Sequence, residues 1–194
     1  MRTVSKIITV YFKHFFGIWN EPTRYRQLYS RINEIRAKNI MEIGTWRGKR
    51  ARLMILEAQK YHPPQEVSYY GFDLFEPMPP RMLEREFSKQ PPALQVIKSE
   101  LDKTGARVNL YKGDTHKILP EVINSLPKMD FIFIDGGHSL ETIQNDWNWA
   151  RRLMHQKTVL IFDDYWPERT DAGAKPIVDA IGRSIYDVKI LPEF

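Results

Sequence analysis

Acidic residues stand at or next to the ends of five apolar segments of the sequence. These residues are Glu42, Asp73, Asp114, Asp135 and the pair Asp163 and Asp164. A single acid in such a place often caps a helix, but the repetition at successive segment ends favours a shared function. Carboxylates brought together suit a ligand with hydroxyl groups and positive charge, and they are the oxygen ligands that Mg²⁺ prefers.

Residues 131–147, FIFIDGGHSLETIQNDW, show the pattern most clearly. The apolar residues 131–134 run directly into an acid, two glycines and an imidazole. Because an imidazole titrates near neutral pH, His138 is a candidate general base that would take a proton from a hydroxyl group. The same side chain could instead cap the following helix or support a neighbouring ligand. Asp135 and His138 are therefore the candidate catalytic residues.

The carboxylates at the strand ends are also suited to hold a metal ion. A Mg²⁺ or Mn²⁺ ion held by these carboxylates would bind a substrate hydroxyl, lower its pKa and orient it. The alternative is that Asp163 and Asp164 cap the loop after their strand and bind no metal. The sequence contains no cysteine, which excludes disulfides, thiolate metal sites and a cysteine nucleophile.

Apolar segments alternate with stretches of helical periodicity from residue 39 onward. The predicted strands are residues 39–43, 67–72, 107–111, 129–134, 158–162 and 188–191. The predicted helices are residues 49–60, 80–103 with a break at Pro91-Pro92, 116–126, a helix capped by Ser139, and 174–183. This alternation predicts an α/β fold with a mostly parallel sheet covered on both faces. Ligands bind such sheets beyond the carboxyl ends of the strands, where the acids lie.

Two further helices are predicted before the first strand, at residues 4–19 and 23–36. They make up an N-terminal extension, residues 1–37, ahead of a domain that spans residues 38–194. Packing on the body of the domain is the simplest role for them. A lid over a ligand and a dimer face are alternatives. Because the first helix is aromatic and flanked by lysines, contact with a membrane surface is another.

The turn after the first strand has the spacing E-x-G-x-x-x-G, formed by Glu42, Gly44 and Gly48. This differs from the G-x-G-x-x-G of dinucleotide-binding folds, and the sequence has no P-loop motif. The glycines would let the backbone approach a ligand, and Glu42 would balance a cationic centre. Asp73 is placed to accept hydrogen bonds from ribose hydroxyls, and Asp114 from an adenine amino group.

Five segments occur in order over residues 38–166: MEIGTWRGKRA, YYGFDLFE, YKGDTHKILPE, FIFIDGGHSLETIQNDW and VLIFDDYW. Together they resemble the class I S-adenosylmethionine-dependent methyltransferases. The most similar group is the small bacterial branch related to metal-dependent sugar O-methyltransferases and cephalosporin-hydroxylase-like proteins. The resemblance implies a Rossmann-like three-layer sandwich with two N-terminal helices. It also implies that S-adenosylmethionine, with Mg²⁺ or Mn²⁺, methylates a hydroxyl of a small-molecule or glycosyl acceptor, in a pocket shaped by aromatic residues around Trp166.

The resemblance assigns roles to matching positions of this sequence. It assigns the methionine part of the cofactor to Glu42, Gly44, Thr45 and Gly48, the ribose to Asp73, the adenine to Asp114, and Mg²⁺ to Asp135, Asp163 and Asp164. Asp135 is expected to lie beside the cofactor as well. Related enzymes carry a second acid, proposed as the general base, where this sequence has Gly137. The sheet of the family also ends in a hairpin that this sequence does not complete, so we expect a truncated or unusually short member.

The 29 lysines and arginines exceed the 24 aspartates and glutamates, which gives a net charge of +5. Because the basic residues are scattered, we expect solvated faces and no nucleic-acid partner. No apolar run approaches the roughly 20 residues of a transmembrane helix, and we expect a cytoplasmic protein whose homo-oligomerisation stays open. An RNA or protein methyltransferase is one alternative function. A non-catalytic cofactor-binding or interaction module with the same fold is the other.

Overall fold

The computed structural model describes residues 22–86 and 88–191. Its strands are β1 (Asn39–Ile43), β2 (Ser68–Asp73), β3 (Arg107–Lys112), β4 (Met129–Ile134) and β5 (Met154–Phe162). They form one sheet of order β3-β2-β1-β4-β5, and every paired neighbour runs parallel. The predicted parallel α/β sheet is thus confirmed. The strand order reverses beside β1, and such a switch point opens a crevice at the carboxyl ends of β1 and β4.

Helices connect the strands and cover the sheet. They are α1 (Thr23–Ile35), α2 (Lys49–Ala58), α3 (Pro80–Arg85), α4 (Leu94–Asp102), α5 (Thr115–Val122), α6 (Leu140–Ala150) and α7 (Lys175–Asp179). Ser139 caps α6 as predicted, because its hydroxyl accepts the main-chain N–H of Thr142 at 3.3 Å. The prolines at 91 and 92 separate α3 from α4. The helix predicted at residues 4–19 lies outside the described residues.

The three central strands β2, β1 and β4 bury side chains on both faces of the sheet, whereas the edge strands β3 and β5 are mostly half-buried or exposed. Ile40 points into a core built with α1, α2 and α4, whereas its neighbour Met41 points into a second core built with α5 and α6. This alternation follows from the two-residue period of a strand. A third, smaller cluster joins Ile143 and Trp147 of α6 to α7. The result is the three-layer arrangement that the sequence predicts, with the strand ends left free for a site.

The last two predicted elements differ from the structure. The helix predicted at residues 174–183 is the shorter α7, and residues 188–191, predicted as a strand, have no regular structure. Val188 packs beside the third cluster, and its carbonyl accepts a hydrogen bond of 3.1 Å from the Arg183 guanidinium, while Ile190 is 52% exposed. Of the two apolar side chains, Val188 therefore packs on the domain and Ile190 does not, and neither belongs to a strand. In the described ranges, no helix has the length and apolar character that crossing a membrane requires.

Candidate active site

A cavity of about 370 Å³ opens at the carboxyl ends of the strands. The predicted site residues that line it are Gly44, Asp73, Asp114, Asp135, His138, Asp163 and Asp164. Trp166, expected to shape an acceptor pocket, lines it too. Three other predicted residues are buried and do not line the cavity: Glu42, Thr45 and Gly48. The parallel sheet therefore brings together acids that are up to 122 positions apart (from Glu42 to Asp164) in the sequence.

Glu42 is a buried carboxyl on β1, 1% exposed, directly behind the cavity. Its Oε2 accepts a hydrogen bond from the Tyr69 hydroxyl, whereas its Oε1 has no hydrogen-bond partner among the described residues. Thr45 supports this arrangement, because its hydroxyl lies 3.0 Å from the Tyr69 hydroxyl. Burial raises the pKa of Glu42 to about 7. A cationic ligand group beside Oε1 would complete the hydrogen bonding and favour the ionised form.

The two glycines of the first turn have different surroundings. A Cβ on Gly44, whose φ is +95°, would lie 1.9 Å from the carbonyl oxygen of Asp135. The turn after β1 thus packs directly on the loop after β4. A Cβ on Gly48, at φ +68°, would lie 3.1 Å from the Ile97 side chain of α4. Gly44 therefore borders the cavity, while Gly48 is required by the backbone turn and by packing against a helix.

Asp73 ends β2 and faces the same cavity. Its Oδ2 accepts the main-chain N–H of Trp46 at 2.7 Å, and its Oδ1 accepts that of Phe75 at 3.4 Å. Burial raises the pKa of Asp73 in spite of these bonds. The carboxylate is held by the backbone on either side of it. This fixed position between the ends of β1 and β2 suits the hydroxyls of a ribose.

Asp114 follows β3 and caps α5. Its Oδ1 accepts the main-chain N–H of His116 at 2.9 Å and lies 3.0 Å from the Nδ1 atom of the same residue. This capping role is the one that a single acid at a strand end most often has. The side chain is 40% exposed and lines the cavity, so a role beside adenine stays a prediction.

Asp135, His138 and Asp164 form the acidic cluster of the site. Each offers a ligand atom, and these atoms lie within 4.8 Å of one another. Asp163 belongs to the same loop, but its Oδ1 accepts the main-chain N–H of Asp164 at 2.9 Å. Burial and the neighbouring charge of Asp163 raise the pKa of Asp135 well above its ordinary value, although the Arg50 guanidinium, 3.2 Å away, opposes this. The ionised form of Asp135 is therefore disfavoured here, and an added positive charge would favour it.

His138 is held on both sides of its ring. Its Nδ1 donates to the main-chain carbonyl of Glu86 at 2.6 Å, and its Nε2 lies 2.5 Å from Oδ2 of Asp164. The ring stacks on Trp166 at a centroid distance of 5.5 Å. Burial lowers the pKa of His138, but the hydrogen bond and charge of Asp164 outweigh it and raise the pKa overall. Because both nitrogens are engaged, a role of His138 as base requires the Asp164 contact to break.

The structure adds site residues that the sequence did not reveal. Arg50 donates to the Tyr25 hydroxyl at 2.5 Å, lies 3.9 Å from the centre of that ring, and faces Asp135. Helix α1 therefore contributes Tyr25 to the cavity wall. Gly173, at φ +81°, allows close packing on Trp166, because a Cβ there would lie 2.7 Å from the indole. In the sequence, the place of Arg50 in the first turn of α2, directly after the glycine turn, was the feature that could have indicated a role in the site.

Comparison with known proteins identifies a family that matches most of the domain. Residues 41–165 match the model of a family described as a methyltransferase domain. An uncharacterised protein of Acanthamoeba polyphaga mimivirus is 31% identical over 72 residues, which are 37% of this chain. That match spans only 33% of the viral protein, about a third of its length.

Solved structures share the fold over most of the chain. The calicheamicin methyltransferase CalS11 has a TM-score of 0.62 at 18% identity, with 87% of this chain and 73% of CalS11 covered. The O-methyltransferase NovP has a TM-score of 0.57 at 18% identity, with 73% and 63% covered. An O-methyltransferase from Bacillus cereus, in complex with SAH, has a TM-score of 0.54 at 20% identity, with 74% and 57% covered. At such identities the similarity shows a common fold.

Proposed function

The chain belongs to the methyltransferase-domain family, because residues 41–165 match its model, and from this premise we propose that it uses S-adenosylmethionine to methylate a hydroxyl group of a small molecule or sugar. The observation that carries the proposal is the unsatisfied Oε1 of Glu42 behind a cavity that Asp73 also lines. A buried acceptor without a partner is rare in proteins, and a cationic ligand group in the adjoining cavity would explain this one.

The parts of the cofactor match the groups around the cavity. The ammonium group of its methionine part suits Oε1 of Glu42, and its ribose diol suits Asp73. The carboxylate of the methionine part suits Arg50, whose buried Nε has no partner in the described part of the chain. The Bacillus cereus neighbour was solved with SAH, and another neighbour, TomG from Streptomyces achromogenes, with SAM. These complexes support the same ligand for this fold.

The acidic cluster fits a divalent metal ion. Carboxylate oxygens from Asp135 and Asp164 suit Mg²⁺ or Mn²⁺, and the negative charge that raises the pKa of Asp135 is charge that a cation would balance. Asp163 remains a predicted ligand and orients Asp164 through the main chain. When bound, such an ion would lower the pKa of the acceptor hydroxyl.

In the proposed reaction the acceptor oxygen attacks the sulfonium methyl group in line with the departing sulfur. The new O–C bond forms as the C–S bond breaks, and the hydroxyl proton passes to a base. His138, the candidate base, would take that proton once its Nε2 leaves Asp164, because its Nδ1 stays bound to the Glu86 carbonyl. The protein contributes chiefly by fixing the two partners in a shared cavity.

The acceptor class is proposed from the chemistry of the cavity and from its neighbours. CalS11 is a TDP-rhamnose 3′-O-methyltransferase, and NovP is an O-methyltransferase. A sugar hydroxyl would find carboxylates as hydrogen-bond partners and the indole of Trp166 as a flat apolar surface. We therefore propose a glycosyl or other small hydroxylated acceptor.

Calorimetric titration of S-adenosylmethionine, with and without Mg²⁺, tests the proposal. We expect micromolar binding by the wild-type chain, a loss of at least about tenfold in Asp73→Ala because the ribose acceptor is removed, and wild-type affinity in the exposed control Asp187→Ala. Absence of binding under every condition would overturn the proposal. Mg²⁺ titration of Asp164→Ala then separates the metal from the cofactor, because only metal affinity should fall.

A further inference from the structure

Glu86 is a buried carboxylate that joins the end of α3 to the start of α6. It is only 6% exposed. Its Oε2 accepts the main-chain N–H of Ser139 at 3.1 Å, while its Oε1 lies 3.1 Å from the Ser139 hydroxyl and 3.2 Å from the Thr142 hydroxyl. The Arg85 guanidinium contributes an ion pair of 2.8 Å. Glu86 thereby satisfies donors of the first turn of α6 from outside that helix.

Gly137 makes room for this carboxylate. A Cβ on residue 137 would lie 2.4 Å from Oε2 of Glu86 and 3.0 Å from Cγ2 of Thr142. The backbone of Gly137 is not in the left-handed region, so an alanine there would chiefly require the Glu86 carboxylate to move. The second glycine of the Asp-Gly-Gly-His stretch is therefore explained by the position of Glu86.

Glu86 also holds His138 through its main chain. The Glu86 carbonyl accepts the Nδ1–H of His138 at 2.6 Å, which turns Nε2 toward Asp164. The side chain of Glu86 fixes Ser139, the next residue. Glu86, which lies 52 residues from His138 in the sequence, thus holds the His138 ring through its carbonyl and the next residue, Ser139, through its side chain.

We propose that Glu86 is a positioning residue that keeps His138 directed at Asp164, within the acidic cluster of the site. The consequence for catalysis rests on the proposed function, whereas the effect on the orientation of His138 does not. Mutation of a group that orients a metal-ligating or catalytic side chain through a hydrogen bond typically lowers affinity or activity by about 10- to 100-fold.

A double-mutant cycle tests the proposal on kinetics. Glu86→Ala and Gly137→Ala should each lower kcat by about tenfold or more. The Kd of S-adenosylmethionine should stay within about twofold, because the proposed cofactor-binding residues Glu42 and Asp73 lie on β1 and β2. The double variant should be no worse than either single variant, because the Cβ at residue 137 then meets no carboxylate. Glu84→Ala, on the exposed side of α3, is the matched control. Additive losses of kcat would overturn the proposal.

Nuclear magnetic resonance of the His138 ring gives a readout independent of turnover. We expect a protected Nδ1–H signal in the wild-type chain and in Glu84→Ala, and rapid exchange of that proton in Glu86→Ala. Glu86→Gln, which keeps one carboxamide oxygen, should restore part of the protection and serves if Glu86→Ala does not fold. An unchanged signal in both Glu86 variants would overturn the proposal. Absence of cofactor binding in the wild-type chain would instead refute the proposed function.

Discussion

The acids at the two edges of the sheet are in opposite states. At the amino edge, Oδ2 of Asp130 accepts the main-chain N–H groups of Lys38 and Asn39, each at 2.8 Å, and Oδ1 lies 3.0 Å from Nε2 of His155. Burial alone would raise the pKa of Asp130, but these partners outweigh it and lower the pKa. Asp130 is thus a fully bonded carboxylate that joins β1, β4 and β5.

Around the cavity at the carboxyl edge, two buried carboxyl groups keep unused bonding capacity, although Asp73 beside them is bonded to the main chain. Glu42 and Asp146 are buried, each with one oxygen that finds no hydrogen bond in residues 22–86 and 88–191, and burial raises the pKa of both to about 7. The pKa of Asp135 is raised as well. Acids that serve the fold are satisfied by the protein, whereas acids that serve a ligand destabilise the ligand-free chain. The following predictions test this contrast.

Gly44→Ala should have the largest effect, because it breaks the carboxyl edge itself. The new Cβ would overlap the Asp135 carbonyl, and φ at this position is positive. We expect a loss of at least about 3 kcal/mol in the free energy of unfolding, measured by urea denaturation. The control is Gly182→Ala, since a Cβ there meets nothing within 4 Å in the described structure. A normal urea midpoint for Gly44→Ala would contradict the close packing of the two loops.

Glu42→Gln should raise stability while weakening cofactor binding. The unfolded pKa is near 4.5 and the folded pKa near 7, so the wild-type chain loses stability as pH rises between these values. The glutamine variant should therefore be more stable by about 3 kcal/mol at about pH 8 and unchanged at about pH 4. Calorimetry should show at least about tenfold weaker S-adenosylmethionine binding, because a charge partner of the ammonium group is lost. Unchanged affinity would remove Glu42 from the site.

Asp146→Asn separates the stability effect from cofactor binding. Asp146 is fully buried, and burial raises its pKa to about 7, so the wild-type carboxyl also costs stability as pH rises from about 4 to 7. We expect a gain of about 4 kcal/mol at about pH 8, no gain at about pH 4, and little change in cofactor affinity. Thermal unfolding at both pH values measures it, with the exposed Asp102→Asn as control. A gain that is equal at the two pH values would exclude ionisation as its cause.

Asp130→Asn should have the smallest effect and the opposite sign. A lowered folded pKa contributes stability above the unfolded pKa that disappears as pH falls through the folded pKa. We expect the variant to be less stable by about 1 kcal/mol at neutral pH, with the difference fading in acid. Its cofactor affinity should equal that of the wild-type chain. A weakened affinity would show that the two edges are coupled.

Local patterns in the sequence predicted most of the fold. The strand–helix alternation, the break at Pro91-Pro92 and the Ser139 cap all depend on neighbouring residues, and the structure has each of them. The strand at residues 188–191 was wrong because a short alternating pattern also arises where one side chain packs on a cluster and the next is exposed.

The interior of the site was less predictable. The acids were found because parallel strands deliver their ends to one edge, which is a property of topology. The groups around those acids come from elsewhere: Arg50 of α2 pairs with Asp135, Tyr25 of α1 accepts a hydrogen bond from Arg50, and Glu86, just after α3, accepts one from His138. No local pattern indicates that Glu86 meets Gly137, because the contact depends on how α3 docks onto the start of α6.

The strand order has a consequence for how the chain folds. β1 is the central strand. Its Ile40 pairs with Tyr69 of β2 on one side and with Phe131 of β4, which is much later in the sequence, on the other. During synthesis, β1, β2 and β3 can associate early, while the other edge of β1 waits for β4. Such late, non-local pairing slows folding and leaves an apolar strand edge open to other chains. A pause in synthesis before β4 emerges should therefore lower the yield of folded protein, and a chaperone that covers the open edge of β1 should raise it.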